Sequence, residues 1–275
     1  MEARDYHAMT LDEKKAFWRA NPLNGLVTIK VRGVPEFAMV NRNDDTVVKE
    51  LHWTDYAGWE PTSLRLWAAL AARASGIVLD VGAYTGIYSI LAATVNPGVK
   101  VLAVDIQRDC LNRIAENARA NHLTSVEPHQ VAASSESGTV RFFFRREPDI
   151  LTSVASLTAS DYANDSAEVA AVRLDEFLAE RGARDRVSLI KVDVEGAELE
   201  ALDGLHETLA TARPDVLVEV NAFDELPAVR RRFPRGYRCF QIAEEDAHVR
   251  RVRPWTRPVG RNYLFTMERR ATLPG

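Results

Sequence analysis

The sequence predicts an α/β domain built on a mostly parallel β-sheet, preceded by a cap made of one helix and one β-hairpin. From Gly76 onward, short continuous apolar runs alternate with helical stretches, which is typical of parallel strands covered on both faces. Before that point, apolar and polar residues alternate on either side of a turn, as they do in a hairpin. We therefore expect a cap over residues 1–57 and the main domain over residues 58–275.

Composition and charge exclude several classes of protein. The 275 residues carry 35 Lys and Arg against 39 Asp and Glu, which gives a formal net charge of −4. A chain of this charge offers no electrostatic footprint for nucleic acid or anionic lipid. No apolar run approaches the roughly 20 residues that a membrane-spanning helix needs. We therefore expect neither a nucleic-acid partner nor a membrane partner.

The number of cysteines and the charge of the N-terminal segment bear on location. Only Cys110 and Cys239 occur, too few for a disulfide framework or a four-cysteine zinc site. Charged residues run through the N-terminal segment, where a signal peptide would need an apolar core. The expected location is the cytoplasm.

A helix, a hairpin and a second helix are predicted before the first parallel strand. Thr10 and Glu13 have the spacing of a capping box, which predicts a helix that ends before Asn21. The alternating runs Leu26–Val31 and Phe37–Val40 flank a turn and predict the hairpin. A helix then follows from Pro61 to about Ala74, with the proline in its first turn.

Four short apolar runs predict the parallel strands of the main domain, namely Ile77–Val81, Val101–Val104, Val187–Val192 and Val216–Val220. A helical stretch follows the first of them and another follows the second. In the latter, Leu111, Ile114 and Ala118 form one apolar helix face that can pack on the sheet. A further strand is predicted over Val126–Ala133.

The chain after residue 133 departs from the parallel pattern. Thr139–Phe144 is β-rich and Leu151–Asp165 lacks periodicity, so we expect an antiparallel excursion followed by a loop. The remaining predictions are a helix over Arg173–Leu178, a helix over Ala197–Thr211 broken at Gly204, and strands over Tyr237–Ile242 and Asn262–Met267, with the charged stretch Glu244–Arg253 between those strands.

A carboxylate and two glycines follow the first parallel strand. Asp80 ends the apolar run, and Gly82 and Gly86 then precede a helix, so a ligand can approach the backbone at a helix N-terminus. A dinucleotide fingerprint would need glycines at Tyr84 and Ile87, and Asp80 would repel a pyrophosphate. The pattern favours a cationic cofactor such as S-adenosylmethionine, which carries an ammonium and a sulfonium.

A second carboxylate, Asp105, ends the next strand about 20 residues beyond the glycines. At that place a carboxylate can accept hydrogen bonds from both ribose hydroxyls of a nucleoside. The structural alternative is a residue that stabilises the N-terminus of the following helix. Together with Asp80 and the glycines, the cofactor interpretation is favoured.

Three charged residues are expected to face one side of the strand that ends near residue 192. With the alternation of a strand, Lys191, Asp193 and Glu195 bring an ammonium and two carboxylates to the carboxyl edge of the sheet, where open α/β folds bind ligands. Asp193 is the favoured general base, Lys191 would tune it, and Glu195 or His206 could substitute. For Glu195, stabilisation of the next helix is an equally good explanation.

Several strings together resemble the FkbM family of S-adenosylmethionine-dependent methyltransferases: DVGAYTG, VDIQ, VAASSESGTVRFFF, RLDEFL, IKVDVEGAELEALDG and RPDVLVEVN. The similarity extends over about residues 56–267, and IKVDVEGAELEALDG is its most specific part. It departs from the family pattern after Asp105, where Ile-Gln stands and a Glu-Pro pair is common. The resemblance implies a class I, Rossmann-like methyltransferase that acts mostly on hydroxyls of sugars, polyketides and other specialised metabolites, with some carboxyl or nitrogen acceptors.

The resemblance also implies roles for particular residues. The methionine part of the cofactor would lie against Asp80, Gly82, Tyr84 and Gly86, the ribose against Asp105, and the adenine against Ala132, Ala133 and Ser134. Glu60 matches a family position near the cofactor. A first-turn helix carboxylate is an equally good explanation of Glu60.

Metal-assisted catalysis is a second mechanism. Asp193, Glu219 and Asn221 are oxygen donors at neighbouring strand ends and would suit Mg²⁺. Only two of the three carry charge, so Mg²⁺ is not favoured and no metal ligand is predicted. The alternative for Glu219 is a buried carboxylate paired with an arginine, such as one within residues 230–232.

Two other kinds of protein remain as alternatives. A non-catalytic module that binds S-adenosylmethionine would use the same pocket, and an NAD-dependent oxidoreductase is opposed by the glycine spacing. The expected partner is a small-molecule acceptor, whose identity the sequence leaves open. The sequence also leaves open whether the chain forms a homodimer.

Overall fold

The computed structural model describes residues 6–148, 150–151, 155–156, 163–245, 247–253 and 256–269. Its helices are α1 (Leu11–Ala20), α2 (Thr46–Trp53), α3 (Pro61–Arg73), α4 (Ile87–Val95), α5 (Arg108–Ala120), α6 (Leu174–Ala179), α7 (Glu198–Asp203), α8 (His206–Thr211) and α9 (Leu226–Arg232). Its strands are β1 (Asn24–Ile29), β2 (Phe37–Arg42), β3 (Ile77–Val81), β4 (Lys100–Asp105), β5 (Val126–Gln130), β6 (Ala132–Ala133), β7 (Gly138–Phe144), β8 (Ala155–Ser156), β9 (Asp165–Val172), β10 (Val187–Val192), β11 (Asp215–Glu219), β12 (Arg238–Ala243), β13 (His248–Arg251) and β14 (Asn262–Thr266).

An eight-stranded sheet with the order β13-β12-β14-β11-β10-β3-β4-β5 forms the centre of the main domain. The five strands from β11 to β5 are parallel, which confirms the four apolar runs as parallel strands. β14 inserts antiparallel between β11 and β12. After β3 the chain adds β4 and β5 on one side of β3, and later it adds β10 on the other side. The strand order therefore reverses between β3 and β10, where open α/β sheets bind ligands.

Helices cover both faces of this sheet, which explains why every residue of β3 is buried. On one face, α3, α4 and α5 pack around Trp67, Leu91 and Ile114, each completely or almost completely buried. On the other face, α6 to α9 contribute a second core that includes Leu178 and Leu202. These two apolar layers hold the strand ends, and so the candidate site, in fixed positions.

The cap has the predicted helix and hairpin and one further helix. Thr10 and Glu13 form the reciprocal bonds of a capping box at α1, and β1 pairs antiparallel with β2. The additional helix, α2, begins after Asp45, whose side chain accepts a hydrogen bond from the backbone N–H of Val48. The sequence patterns predict no helix between the hairpin and Pro61. The boundary at residue 57 stays a prediction.

The excursion after residue 130 is a separate sheet with the order β6-β9-β7-β8. The predicted strand over Val126–Ala133 is in fact two, because β5 belongs to the main sheet and β6 pairs with β9. The predicted loop Leu151–Asp165 lies largely outside the described residues, and β9 follows it. Gly204 separates α7 from α8, as predicted. Over the residues that the structure describes, no helix has the length and apolar character to cross a bilayer.

Candidate active site

Five neighbouring strands bring their polar ends to one edge of the sheet. β4 ends at Asp105, β3 leads into Gly82, β10 leads into Asp193, and β11 ends at Glu219. β14 runs in the opposite direction, so its first residue, Asn262, lies at the same edge and directly opposite Glu219. The sequence analysis had singled out four of these five positions. These strand ends lie in a row, on both sides of the point between β3 and β10 where the strand order reverses.

Gly82 lies at the centre of this row and has to be a glycine. Its φ angle is +80°, and a Cβ atom added there would lie 1.7 Å from the backbone oxygen of Asp193. Its N–H donates to the carbonyl of Val104 (2.9 Å), and the N–H of Asp193 donates to the carbonyl of Val81 (2.9 Å). The backbones at Gly82 and Asp193 therefore approach each other too closely for a side chain at Gly82, and together they form the base of the site.

Asp105 and Tyr84 shape the ligand side of the turn. The carboxylate of Asp105 accepts hydrogen bonds from the backbone N–H groups of Tyr84 (2.9 Å) and Gln107 (2.8 Å). Burial nevertheless raises the pKa of Asp105 to about 6, since these two donors only partly replace water. The hydroxyl of Tyr84 donates to the carbonyl of Leu151 (2.9 Å), which fixes the ring over the turn. A ligand with two neighbouring hydroxyl groups would donate further hydrogen bonds to the carboxylate of Asp105.

A first cavity lies beside these residues, and its lining suits a nucleoside. It is lined by Val81, Gly82, Tyr84, Val104, Asp105, Ile106, Gln107, Val131, Ala132, Ala133, Asp193, Val194, Glu195 and Ala197. The small apolar side chains of Ala132 and Ala133 leave room for a flat base, and Asp105 faces the place of a ribose. Among these described lining residues there is no lysine or arginine, so the cavity lacks the cations that a pyrophosphate would need. The residues present fit S-adenosylmethionine.

A second cavity, of about 610 Å³, adjoins the first. Both are lined by Gly82, Tyr84, Asp193 and Glu195. The second cavity extends from there toward the cap and the β12–β14 edge, and its other lining residues are His7, Val47, Ala57, Gly58, Trp59, Glu60, Pro61, Glu219, Glu244, Glu245, Gly260, Arg261 and Asn262. Two ligands bound in the two cavities would therefore face each other at Asp193.

Asp193 is held by a buried lysine and by a neighbouring carboxyl group. Lys191 is 1% exposed and its ammonium donates to the Oδ2 atom of Asp193 (2.9 Å), which confirms that the two side chains share one side of the strand. Burial opposes the positive charge, but the carboxylates of Asp193, Glu60 and Glu219 raise the pKa of Lys191 above its usual range. The lysine therefore stays charged beneath the site.

The pKa values of the neighbouring carboxyl groups of Asp193 and Glu219 are shifted in opposite directions. Burial, the hydrogen bond to Asp193 and the charge of Asp193 raise the pKa of Glu219 to about 9. Burial would also raise the pKa of Asp193, but Lys191 and the hydrogen bond from Glu219 hold it below its usual range. At neutral pH the pair therefore carries one negative charge on Asp193, and the protonated Glu219 donates to it.

Glu195 and Glu198 follow Asp193 and take different roles. Glu195 has a φ angle of +53°, which ends the alternation of the strand and places the residue in the lining of both cavities. Burial and the nearby carboxylates of Asp193 and Glu198 raise the pKa of Glu195. Glu198 instead accepts a hydrogen bond from the backbone N–H of Gly196 (3.0 Å), as a helix-capping carboxylate does.

Four of the predicted site residues lie outside the linings of both cavities. Asp80 is 1% exposed and its carboxylate accepts a hydrogen bond from the Ser89 hydroxyl (2.6 Å); burial raises its pKa to about 6. Gly86, with a φ angle of +86°, is the N-cap residue of α4. Ser134 and Lys191 are likewise absent from both linings. Direct contact of Asp80, Gly86 and Ser134 with the cofactor stays a prediction.

Glu60 lines the second cavity and not the first. Its carboxylate accepts hydrogen bonds from the hydroxyl of Tyr88 and from the side-chain N–H of Asn262 (2.7 Å). Burial raises its pKa, although Lys191 opposes the effect. The carboxyl group of Glu60 therefore belongs to the wall of the second cavity, and its contact with the cofactor stays a prediction.

The sequence analysis missed Asn262 and Glu244. Glu244 follows β12 and accepts hydrogen bonds from the backbone N–H groups of Thr62 (2.8 Å) and Ser63 (3.2 Å) at the start of α3, 182 and 181 residues away. Asn262 was only the first residue of a predicted strand. Nothing local in the sequence indicates that this strand inserts beside β11, so neither residue could be assigned to the site.

The candidate magnesium ligands already bond to cationic side chains. Asp193 pairs with Lys191, and Arg261 donates to Glu219 (3.4 Å) and to Asn221 (3.2 Å). The arginine partner of Glu219 is thus Arg261 and not one of residues 230–232. Over the described part of the chain, no group of three or more His, Cys, Asp or Glu side chains is arranged to hold a metal ion.

A Rossmann-like sheet whose switch point carries a carboxylate-lined nucleoside cavity, with a second cavity opening onto it, is the arrangement of the class I S-adenosylmethionine-dependent methyltransferases. Comparison with known proteins gives the family. The family model described as the methyltransferase FkbM domain matches residues 80–250, which is more than half of the chain. The chain therefore belongs to the FkbM methyltransferase family, as the sequence motifs had indicated.

Relatives with named activities share part of the chain. Over 200 residues the chain is 26% identical to the 31-O-demethyl-FK506 methyltransferase FkbM of Streptomyces tacrolimicus, covering 63% of this chain and 76% of the relative. Over 151 residues it is 30% identical to the hexuronic acid methyltransferase AglP of Haloferax volcanii, covering 55% of this chain and 58% of the relative.

Among solved structures, methyltransferase FkbM from Methylobacillus flagellatus aligns with a TM-score of 0.47 and 17% sequence identity. The alignment covers 80% of this chain and 52% of that protein, so the chain spans about half the length of the solved structure.

Proposed function

We propose that this methyltransferase methylates a hydroxyl group of a small-molecule acceptor, with Asp193 as the general base. The observation that carries the proposal is the junction of the two cavities at Gly82, Tyr84, Asp193 and Glu195. A nucleoside cofactor and an acceptor that occupy them would meet beside a carboxylate that is ionised at neutral pH. Sugars, polyketides and similar specialised metabolites are the acceptors that the family resemblance favours.

When bound, S-adenosylmethionine supplies a methyl group activated by its attachment to a positively charged sulfur. The chain has to align the acceptor oxygen, exclude water and accept the hydroxyl proton. The carboxylate of Asp193 is suited to the last task, because Lys191 and Glu219 each use only part of its hydrogen-bonding capacity. Lys191 acts as a positioning residue that keeps Asp193 ionised, and Glu195 at the same junction is the alternative base.

For the cofactor we propose contacts with the residues that line the first cavity. Asp105 would accept the ribose hydroxyls, Ala132 and Ala133 would lie against the adenine, and the backbone of Gly82 and Tyr84 would approach the methionine part. Asp80 would act from behind the turn through its negative charge, at short range and without solvent between. These contacts need no metal ion.

The proposal is tested by incubating the protein with methyl-labelled S-adenosylmethionine and a metabolite extract, followed by mass spectrometry of the products. We expect a labelled product whose methyl group survives mild alkali, since a methyl ether is stable there and a methyl ester is hydrolysed. Alkali-labile label would indicate a carboxyl acceptor, and a label on nitrogen would be identified by fragmentation. Binding of the cofactor without any labelled product would favour the non-catalytic module.

A further inference from the structure

We infer that the acceptor carries a protonated amine close to the hydroxyl that is methylated, and that Asn262 and Glu60 bind this amine. The inference rests on the proposed function, since it concerns the ligand of the second cavity. It defines the chemical class of the acceptor as an amino alcohol, for example an aminated sugar ring. A protonated nitrogen has no free electron pair, so the neighbouring hydroxyl remains the nucleophile.

Asn262 presents a buried hydrogen-bond acceptor that has no donor. The residue is 4% exposed and lines the second cavity. Its side-chain N–H donates to the Oε1 atom of Glu60 (2.7 Å), which fixes the orientation of the amide. The Oδ1 atom is left with no hydrogen-bond partner among the described residues. Buried polar atoms are almost always paired, so an unpaired oxygen in a cavity wall indicates a donor on the ligand.

Glu60, beside Asn262, is a carboxyl group that forms no ion pair among the described residues. Its oxygen atoms accept hydrogen bonds from the neutral groups of Tyr88 and Asn262. Lys191 and Arg261 form their ion pairs with Asp193 and Glu219 instead. An ammonium donates up to three hydrogen bonds, so it can satisfy the oxygen atoms of Asn262 and Glu60 together. A neutral hydroxyl would supply only one.

Carboxyl groups predominate among the ionisable groups of the second cavity. Its described lining contains six carboxyl groups, those of Glu60, Asp193, Glu195, Glu219, Glu244 and Glu245. Arg261 is the guanidinium among the described lining residues, and it already donates to Glu219 and Asn221. A cavity with this balance attracts a cationic ligand and repels a carboxylate or phosphate.

The charge of the acceptor is tested by separating a metabolite extract on cation- and anion-exchange resins before incubation with labelled S-adenosylmethionine. We expect the label in the fraction that the cation exchanger retains. Label found mainly in the unretained or anion-exchange fraction would overturn the inference while leaving the proposed methyl transfer intact. Label in no fraction, with cofactor binding preserved, would overturn the proposed function itself.

The role of Asn262 is tested with Asn262→Leu and a matched control, Gln241→Leu. Gln241 is also a buried amide with an unpaired oxygen in the same sheet, but it lies outside the lining of the second cavity. We expect Asn262→Leu to raise the KM for the retained acceptor about 10-fold or more, with a smaller change in kcat and an unchanged Kd for S-adenosylmethionine. Equal KM values in the two variants would contradict the inference.

A second variant covers the case in which Asn262→Leu fails to fold. Glu245 is exposed at the rim of the cavity, so Glu245→Gln should leave the fold and cofactor binding unchanged. We expect this variant to raise the KM for the acceptor and to weaken its dependence on salt, because one attractive charge is lost. A KM and a salt dependence identical to those of the unmodified protein would contradict a cationic acceptor.

Discussion

The carboxylate of Asp105 joins β4 to the turn after β3 and leaves part of its hydrogen-bonding capacity facing the first cavity. Asp105→Ala is expected to weaken S-adenosylmethionine binding by about 10- to 150-fold, because charge-assisted hydrogen bonds contribute about 1.5 to 3 kcal/mol. Calorimetric titration measures the change. Asp109→Ala, in the first turn of α5 outside the cavity lining, is the control and should bind normally. Unchanged affinity in Asp105→Ala would remove this residue from the site.

Glu219 makes the stability of the protein depend on pH. Its pKa rises from a usual value of about 4.5 to about 9 on folding, so the folded state holds a proton that the unfolded state has lost between these limits. The contribution of Glu219 to stability is therefore largest at the acid end of this window and is lost as pH rises toward 9.

Glu219→Gln keeps a hydrogen-bond donor to Asp193 and removes the titration. The difference in unfolding free energy between this variant and the unmodified protein should therefore grow from pH 5 to pH 9, by at most about 1.4 kcal/mol per pH unit. Urea denaturation at several pH values measures this difference. Stability curves that run parallel over that range would contradict the shared proton.

The sequence allowed the charged centre of the site to be predicted, and the structure explains why. Lys191 and Asp193 are two residues apart on a strand, so simple alternation places them together. Alternation along one strand cannot place Asn262 in the site. This residue pairs in the sheet with Glu219, which lies 43 positions earlier in the chain. Alternation also gives no information on the proton that Asp193 and Glu219 share, which depends on burial.

At the scale of elements, the turn between β3 and α4 is the part of the site with the least tolerance. An added Cβ at Gly82 would collide with the backbone of Asp193, so Gly82→Ala should displace the loop after β10 as well as close the cofactor cavity. We expect a loss of stability of about 2 kcal/mol or more together with loss of cofactor binding. Thermal unfolding and calorimetry measure the two effects.

Gly138 at the start of β7 is the matched control for this prediction. Its added Cβ would meet no atom within 4 Å and its φ angle is not positive, so Gly138→Ala should be nearly neutral. Normal cofactor binding in Gly82→Ala would contradict the described geometry of the turn.

The parallel strands that the sequence predicted have a pattern that is set by burial on both faces. β3, β4, β10 and β11 are continuous apolar runs because helices cover both sides of them. The missed elements lack such a pattern. β13 is mostly exposed and carries His248, Arg250 and Arg251, so it was interpreted as a charged connection. α2 lies between the predicted hairpin and the predicted helix at Pro61, where the sequence patterns predicted no helix.

At the scale of the whole molecule, the cap and the cofactor turn are connected through α5. Asn117 is fully buried; its side chain accepts a hydrogen bond from the N–H of Val40 (2.7 Å) in β2 and donates to the carbonyl of Thr85 (2.8 Å) in the turn. Asn121, one helical turn later, bonds to both backbone groups of Ala38 (2.7 Å each) but not to the turn.

These two asparagines allow the connection to be tested. Asn117→Ala and Asn121→Ala should each destabilise the protein by about 1 to 3 kcal/mol, because each leaves partly buried backbone groups of the cap without their hydrogen-bond partner. Only Asn117→Ala should also weaken binding of S-adenosylmethionine, since only Asn117 holds the turn. Denaturation and calorimetry on both variants test this difference. Equal cofactor affinity in the two would show that the cap does not influence the turn.

The cap also shares an apolar core with the helices on one face of the sheet, and this was not evident from the sequence. Val27, Met39 and Leu51 of the cap are buried in the same cluster as Trp67 and Leu91. The sequence indicated a change of pattern near residue 57, because local alternation differs on the two sides. It could not indicate that the two segments pack as one layer, which depends on contacts between distant residues.

The central claim is that Asp193, at the junction of two cavities, accepts the proton of an acceptor hydroxyl. The most direct measurement is the turnover of an identified acceptor by the unmodified protein and by Asp193→Asn, each with and without a chelator. The account predicts a loss of about 10²- to 10⁴-fold in Asp193→Asn and no effect of the chelator. Activity that the chelator abolishes and Mg²⁺ restores would support the metal-assisted mechanism instead. Full turnover in Asp193→Asn would contradict the account.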